Sequence, residues 1–129
     1  PKSSQLETLS CSSNQLTKLN ISENPNLSSL SCSSNQLEKL DVSKNLNLSF
    51  LNCSNNQLVN LNLANNPALW MLYCFSNYLE SIDISMTKVG RWRGDELYPL
   101  DCAPMETLKT LYFKQRKRLY EKYSRHYFR

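Results

Sequence analysis

Residues Leu27–Asn47 read LSSLSCSSNQLEKLDVSKNLN, and Leu48–Ala68 repeat the pattern as LSFLNCSNNQLVNLNLANNPA. The same 21-residue step carries cysteine through positions 11, 32, 53 and 74. Working outward, the units are Leu6–Asn26, Leu27–Asn47, Leu48–Ala68 and Leu69–Val89. Self-similarity at a fixed period of this length is the mark of a repeat architecture, in which each unit buries its apolar side against its neighbours.

Each unit contains a smaller copy of itself. Leu6-x-x-Leu9-x-Cys11-x-x-Asn14 is echoed ten residues later by Leu16-x-x-Leu19-x-Ile21-x-x-Asn24. Both tripeptides, Leu-x-Cys and Leu-x-Ile, alternate in the period-2 manner of a strand with one buried face. Neither half carries the ten or more residues of 3.6-period pattern that a helix needs. The sequence therefore predicts a short right-handed repeat solenoid with parallel β structure on both sides of each coil.

Asn14, Asn35, Asn56 and Asn77 follow each cysteine by three residues, where the chain turns inward off the strand. Buried turns leave backbone groups in need of partners, and a carboxamide carries both donors and acceptors. These asparagines are scaffold. Asn24, Asn45 and Asn66 repeat the device at the other edge, and Thr87 breaks it. Cys11, Cys32, Cys53, Cys74 and the later Cys102 share one inward column, where reduced thiols act as small hydrophobes. Parallel side chains on strands ~4.8 Å apart hold their Cβ atoms too far apart for a disulfide. A straight column also cannot surround zinc.

These residues and spacings resemble the leucine-rich repeat family, in particular its short 21-residue bacterial class with nested halves and a cysteine column. The resemblance covers residues 6–89 closely and 97–113 loosely. It implies a secreted or surface-anchored binding module, extracellular or at the cell surface, of the kind found in internalin-type and Bacteroidetes surface proteins. Members of the family serve many partners, so the fold alone does not name one.

The pattern breaks after Val89. The next unit opens as Leu97-x-x-Leu100-x-Cys102, seven residues late, and Met105 stands where the column asparagine is expected. Leu108-x-x-Leu111-x-Phe113 restores the strand one further residue late. The chain thus divides into an N-terminal remnant (1–5), four repeats (6–89), an insertion (90–96), a divergent terminal repeat (97–113) and a tail (114–129). The tail holds seven Lys and Arg against Glu121, so the net charge of +4 belongs to it. Leu119, Tyr120, Tyr123 and Tyr127 give it one apolar stripe, predicting a short helix that caps the last repeat. The chain has neither an initiator Met nor a signal peptide, and is expected to be a piece of a longer secreted protein or one trimmed at its N-terminus.

At 129 residues this is one domain. No apolar run approaches the ~18 residues of a membrane span. No glycine-rich phosphate loop is present. The only histidine, His126, lies in the tail, and burial makes the ladder thiols inert. Asp41 and Asp83, alternating with Asn20 and Asn62 on the outer surface, could at most hold a cation weakly; a solvated face is the expected state. Catalysis, cofactors and metals are not expected.

The functional clue lies outward on the cysteine-bearing strand. There the first two repeats present Glu7, Thr8, Ser10 and Ser12, then Ser28, Ser29, Ser31 and Ser33. The third presents Ser49, Phe50, Asn52 and Ser54, and the fourth Trp70, Met71, Tyr73 and Phe75. A serine face becomes aromatic within two coils, and Tyr98 extends it. Contiguous exposed apolar surface marks interaction sites, and Trp and Tyr anchor protein interfaces. A protein or glycan ligand on Trp70, Met71, Tyr73 and Phe75, with Phe50 and Tyr98 at the margin, is one expectation. Coverage of the patch by Trp92 or the tail is the competing one, and self-association a third. Anionic partners on the basic tail form a further class, although nucleic acid is not expected. Tyr78, standing alone, reads as a packing residue.

Overall fold

The computed structural model describes residues 3–89 and, beyond them, the strands Trp92–Arg93, Glu96–Leu97, Leu100–Asp101 and Thr110–Tyr112. The tail with its expected capping helix, Cys102 and Tyr98 lie outside the described residues.

Leucine at the middle of each Leu-x-Cys segment builds the main sheet. Strands β1 (Thr8–Ser10), β2 (Ser29–Ser31), β3 (Phe50–Asn52) and β4 (Met71–Tyr73) pair in parallel, with Leu9, Leu30, Leu51 and Leu72 in one row. From β2 onward that central leucine is fully buried. The core continues inward through Leu27, Leu37, Val42, Cys32 and their counterparts in the next coils. Burying each such leucine contributes roughly 1.5–3 kcal/mol, which is how 21-residue coils hold a solenoid together despite a polar composition. The first coil is the exception. Leu6, Leu9, Leu16, Leu19 and Cys11 are only half-buried, since no described coil packs on their outer side. The expectation that Cys11 is buried like the others is thereby corrected.

The backbone ladder outlasts the strands. Cys11 N donates to Ser31 O at 2.8 Å, Cys32 N to Asn52 O at 2.8 Å, and Cys53 N to Tyr73 O at 2.9 Å. Ser13, Ser34, Asn55 and Ser76 then adopt left-handed backbone with φ of 53–56°. That reversal swings the chain off the sheet and brings the next asparagine inward. Asn56 shows the result. Its Nδ2 donates to the carbonyls of Cys32, Cys53 and Ser54, while its Oδ1 accepts from Leu37 N at 3.0 Å. Asn35 and Asn77 make the same set of contacts one coil to either side. Asn14 bonds only within its own coil, to Cys11 O and Ser12 O.

The far side of each coil is built differently. No helix occurs among the described residues, and the segments around Leu19, Leu40 and Leu61 run without ladder pairing. Their backbone donors are used locally. Asn20, Asp41, Asn62 and Asp83 each accept from the amide two residues on, at 2.8–3.0 Å, closing an Asx turn inside one coil. Asn20, Asp41, Asn62 and Asp83 thus form a column of turn formers. Asn45 and Asn66 tie this edge together through Nδ2, which reaches the carbonyls of the preceding coil, while their buried Oδ1 atoms accept no hydrogen bond. Thr87 keeps the turn, donating to Ile84 O at 2.8 Å, but its short side chain makes no amide link back to the third repeat among these bonds.

Sheet pairing reappears on this side in the fourth repeat. Strand β5 (Ser81–Asp83) pairs in parallel with β9 (Thr110–Tyr112), setting Ile82 opposite Leu111. Between them in sequence, β6 (Trp92–Arg93) and β7 (Glu96–Leu97) pair antiparallel, and β8 (Leu100–Asp101) adds to the main sheet beside β4 with Leu72 opposite Leu100. The break is thus accommodated as a small antiparallel excursion, after which the solenoid resumes.

Candidate functional site

Position along the strand decides which side chains look outward. In β3 and β4 the residues flanking the buried leucine are Phe50 and Asn52, then Met71 and Tyr73, and all four are half-buried. Phe50 stands directly across from Met71, and Asn52 across from Tyr73. Phe50 and Tyr73 meet on the diagonal, with ring centroids 6.0 Å apart and planes tilted by 52°. Such a tilted pair is a favoured aromatic geometry. Trp70 precedes β4, is 37% exposed and is anchored through its backbone N to Ser49 O. Phe75 follows Cys74, is half-buried and accepts from Asn55 N through its carbonyl. The structure thus brings Phe50 and Tyr73 into contact, with Trp70, Met71 and Phe75 on the same strand flank of the fourth coil. Tyr98, the side chain of Trp92 and the tail lie outside the described residues, and with them the expectation that they cover the patch.

The neighbouring coils complete the same face with hydroxyls and amides. Ser12 Oγ lies 2.8 Å from Ser31 Oγ and accepts from Ser33 Oγ at 3.0 Å. In the third coil Ser54 Oγ donates to Asn52 Oδ1 at 2.7 Å. These side chains already engage one another, forming a polar strip beside the rings.

The thiol column behaves as packing. Burial, with Cys11 as neighbour, pushes the Cys32 thiol up to about 12, and burial with Cys32 beside it drives Cys53 well above the ordinary range. Burial also raises Cys11. Cys53 Sγ makes a weak contact to Tyr73 O at 3.6 Å. A thiol held protonated and buried is a poor nucleophile. Asp41 is shifted the other way, its carboxyl held below the usual range by its hydrogen bonds from the Ser43 side chain and backbone. Among the described residues no group of three or more His, Cys, Asp or Glu is placed to hold a metal ion. Nor is any helix among them long and apolar enough to cross a membrane.

Two surface features escaped the sequence reading. Tyr78 is 57% exposed rather than packed, because it continues the outward column of Gln15, Gln36 and Gln57 between buried Asn77 and Leu79. With Val59, Gln57, Glu38 and Lys39 it lines a shallow hollow of about 280 Å³. The replacement of glutamine by tyrosine in that column was the available signal. On the far side, Asn60, Leu61, Asn62, Ser81, Asp83 and Met86 help to line a groove of about 430 Å³ where the third and fourth coils run without ladder bonds.

No family model matches the chain, and no curated protein matches it either. Among solved structures it is similar to the functional domain of InlJ from Listeria monocytogenes, which includes a cysteine ladder. The two are 28% identical with a TM-score of 0.55, and the match covers 85% of this chain and 35% of that one. The chain therefore spans about a third of the length of that domain. The fold is a leucine-rich repeat solenoid with a cysteine ladder.

Proposed function

We propose that this cysteine-ladder leucine-rich repeat solenoid is a non-catalytic protein-interaction module, working outside the cell or at its surface. Its partner docks on the aromatic end of the strand face, on Trp70, Met71, Tyr73 and Phe75, with Phe50 and Tyr98 at the margin. The observation that carries this is a substitution of character along fixed outward columns. Positions held by Ser28, Ser29, Ser31 and Ser33 in the second coil are held by Trp70, Met71, Tyr73 and Phe75 in the fourth. The buried side of the coil does not change between them, so the solenoid core does not call for the rings. Aromatic and Met side chains grouped on a sheet face are the composition of a protein interface core.

The test compares accessibility with stability in the full chain. Hydroxyl-radical footprinting should label Trp70, Tyr73 and Phe75, and Trp70→Ala and Tyr73→Ala should leave the unfolding temperature within a few degrees of the parent. Protection of all three rings, together with a large loss of stability in both variants, would make the patch an internal cap and sink the proposal.

A further inference from the structure

A second recess lies on the far side of the solenoid, away from the rings. It is the groove of about 430 Å³ between the third and fourth coils, whose lining includes Asn60, Asn62, Ala64, Ser81, Asp83 and Met86. Past the rung from Tyr78 N to Leu58 O, no backbone bond among the described residues joins these two coils until Lys88 N reaches Leu69 O. Thr87 also leaves out the amide clamp that Asn45 and Asn66 supply in the coils before it. The outward columns change at the same place. Lys18 and Lys39 are followed by Asn60 and Ser81, and Glu23, Lys44 and Asn65 by Met86. Long side chains give way to short ones in the first column, and the second ends in an exposed methionine.

We propose that this groove binds a short neutral saccharide, at a site separate from the aromatic strand face. Its lining is made of groups that meet hydroxyls. Asn62 Oδ1 and Asp83 Oδ1 are held by their own turns, accepting from Ala64 N at 3.0 Å and Ser85 N at 2.8 Å. That leaves Asn62 Nδ2 as a donor and the second carboxylate oxygen of Asp83 as an acceptor, in adjacent coils and already oriented. Asn60 and Ser81 add an amide and a hydroxyl that engage no partner among the described residues. On the other edge of β5 the register sets Thr110 beside Ser81 and Tyr112 beside Asp83, so the row continues in uncharged, hydroxyl-bearing residues. A sugar hydroxyl donates and accepts at once, which suits the Asn62–Asp83 pair, and its bond to a carboxylate is of the stronger kind. Met86 and Ala64 supply apolar contact for the C–H face of a pyranose ring. The volume falls in the range of about 300–1,000 Å³ of small-molecule sites, which mix apolar walls with a few placed polar groups. Asp83 repels phosphate and carboxylate ligands, which favours a neutral class.

The test is an NMR titration of the full, isotopically labelled chain with maltotriose, cellotriose and triacetylchitotriose, repeated on variants that borrow residues from other coils. Ser81→Lys restores the residue type of Lys18 and Lys39, and Asp83→Asn keeps the turn that Asn20 and Asn62 make. At least one of the three sugars should shift the amides of Asn62, Ser81 and Asp83 at up to roughly 20 mM, enough to register a millimolar Kd. Ser81→Lys should abolish these shifts, and Asp83→Asn should weaken binding about tenfold, with unfolding temperatures close to the parent's. The Phe50→Ser/Tyr73→Ser double variant should bind as the parent does. No shift with any of the sugars, or shifts unchanged in Ser81→Lys, would overturn the proposal. Loss of binding in the double variant alone would move the saccharide to the strand face and overturn it too. Tighter binding of glucosamine than of N-acetylglucosamine would make the groove a cation site and overturn the neutral class.

Discussion

Phe50 and Tyr73 touch across the boundary between β3 and β4, although neither faces the other in the strand register. The contact is diagonal, which only large side chains can bridge. It fixes two rings of the proposed site against each other before any ligand arrives. A double-mutant cycle of Phe50→Ala and Tyr73→Ala on stability should give a coupling of ~0.5–1.5 kcal/mol. A coupling indistinguishable from zero would show that the rings are positioned independently.

The asparagine ladder should weaken unequally. Asn56 serves three carbonyls and one amide in two coils, so Asn56→Ala leaves several buried groups unpaired at about 1–3 kcal/mol for each. Asn14 is exposed and bonds only to its own coil. Asn14→Ala should cost under ~1 kcal/mol in urea unfolding, against several times that for Asn56→Ala. Equal losses would contradict the ladder geometry.

The thiols set an alkaline limit. In the unfolded chain a cysteine ionises near its ordinary 9.0, whereas Cys32 in the fold holds its proton to about 12. Above pH 9 the unfolded state therefore binds fewer protons than the folded one, and stability falls as pH rises. The thermal midpoint should hold steady from neutral pH to about 8.5, then decline through the window up to about 12, and decline less in Cys32→Ala. A decline of equal steepness in parent and variant would remove the thiol as cause. Cys32→Ser or Cys53→Ser should lower stability by ~1–3 kcal/mol near neutral pH, because a hydroxyl is buried among apolar groups.

The left-handed residues before each ladder asparagine are a further handle. Ser34 at φ 55° pays a backbone cost that glycine does not incur. Ser34→Gly should be neutral or stabilising by up to ~1 kcal/mol, and Ser34→Val destabilising by more than that. Circular dichroism melts of the three proteins decide the order.

The solenoid was legible because leucine and cysteine recur at one period, and a period survives any uncertainty about single residues. The difference between the two sides of a coil was harder to read. Leu9-x-Cys11 and Leu19-x-Ile21 look alike, yet only the first lies beside a continuous sheet. What separates them is the use of backbone donors, directed to the next coil through Cys11 N but into local turns by Asn20 and Asp41. The sequence was also silent on depth. Alternation says that Phe50, Met71 and Tyr73 point outward, but not that they end half-buried against one another. Tyr78 was misjudged because a solitary aromatic suggests packing, when its column is one of exposed glutamines.

The interior asparagines give the molecule a direction along its axis. Leu16 N finds its acceptor on Asn35, Leu37 N on Asn56 and Leu58 N on Asn77, always in the coil that comes after. Each of these three coils therefore holds an amide whose acceptor lies in its successor. Cutting such a molecule from its C-terminal side strips partners from backbone that is already buried. Cutting from the other side takes away the carbonyls of Glu7 and Leu16, which accept from the amides of Ser28, Ser29 and Gln36.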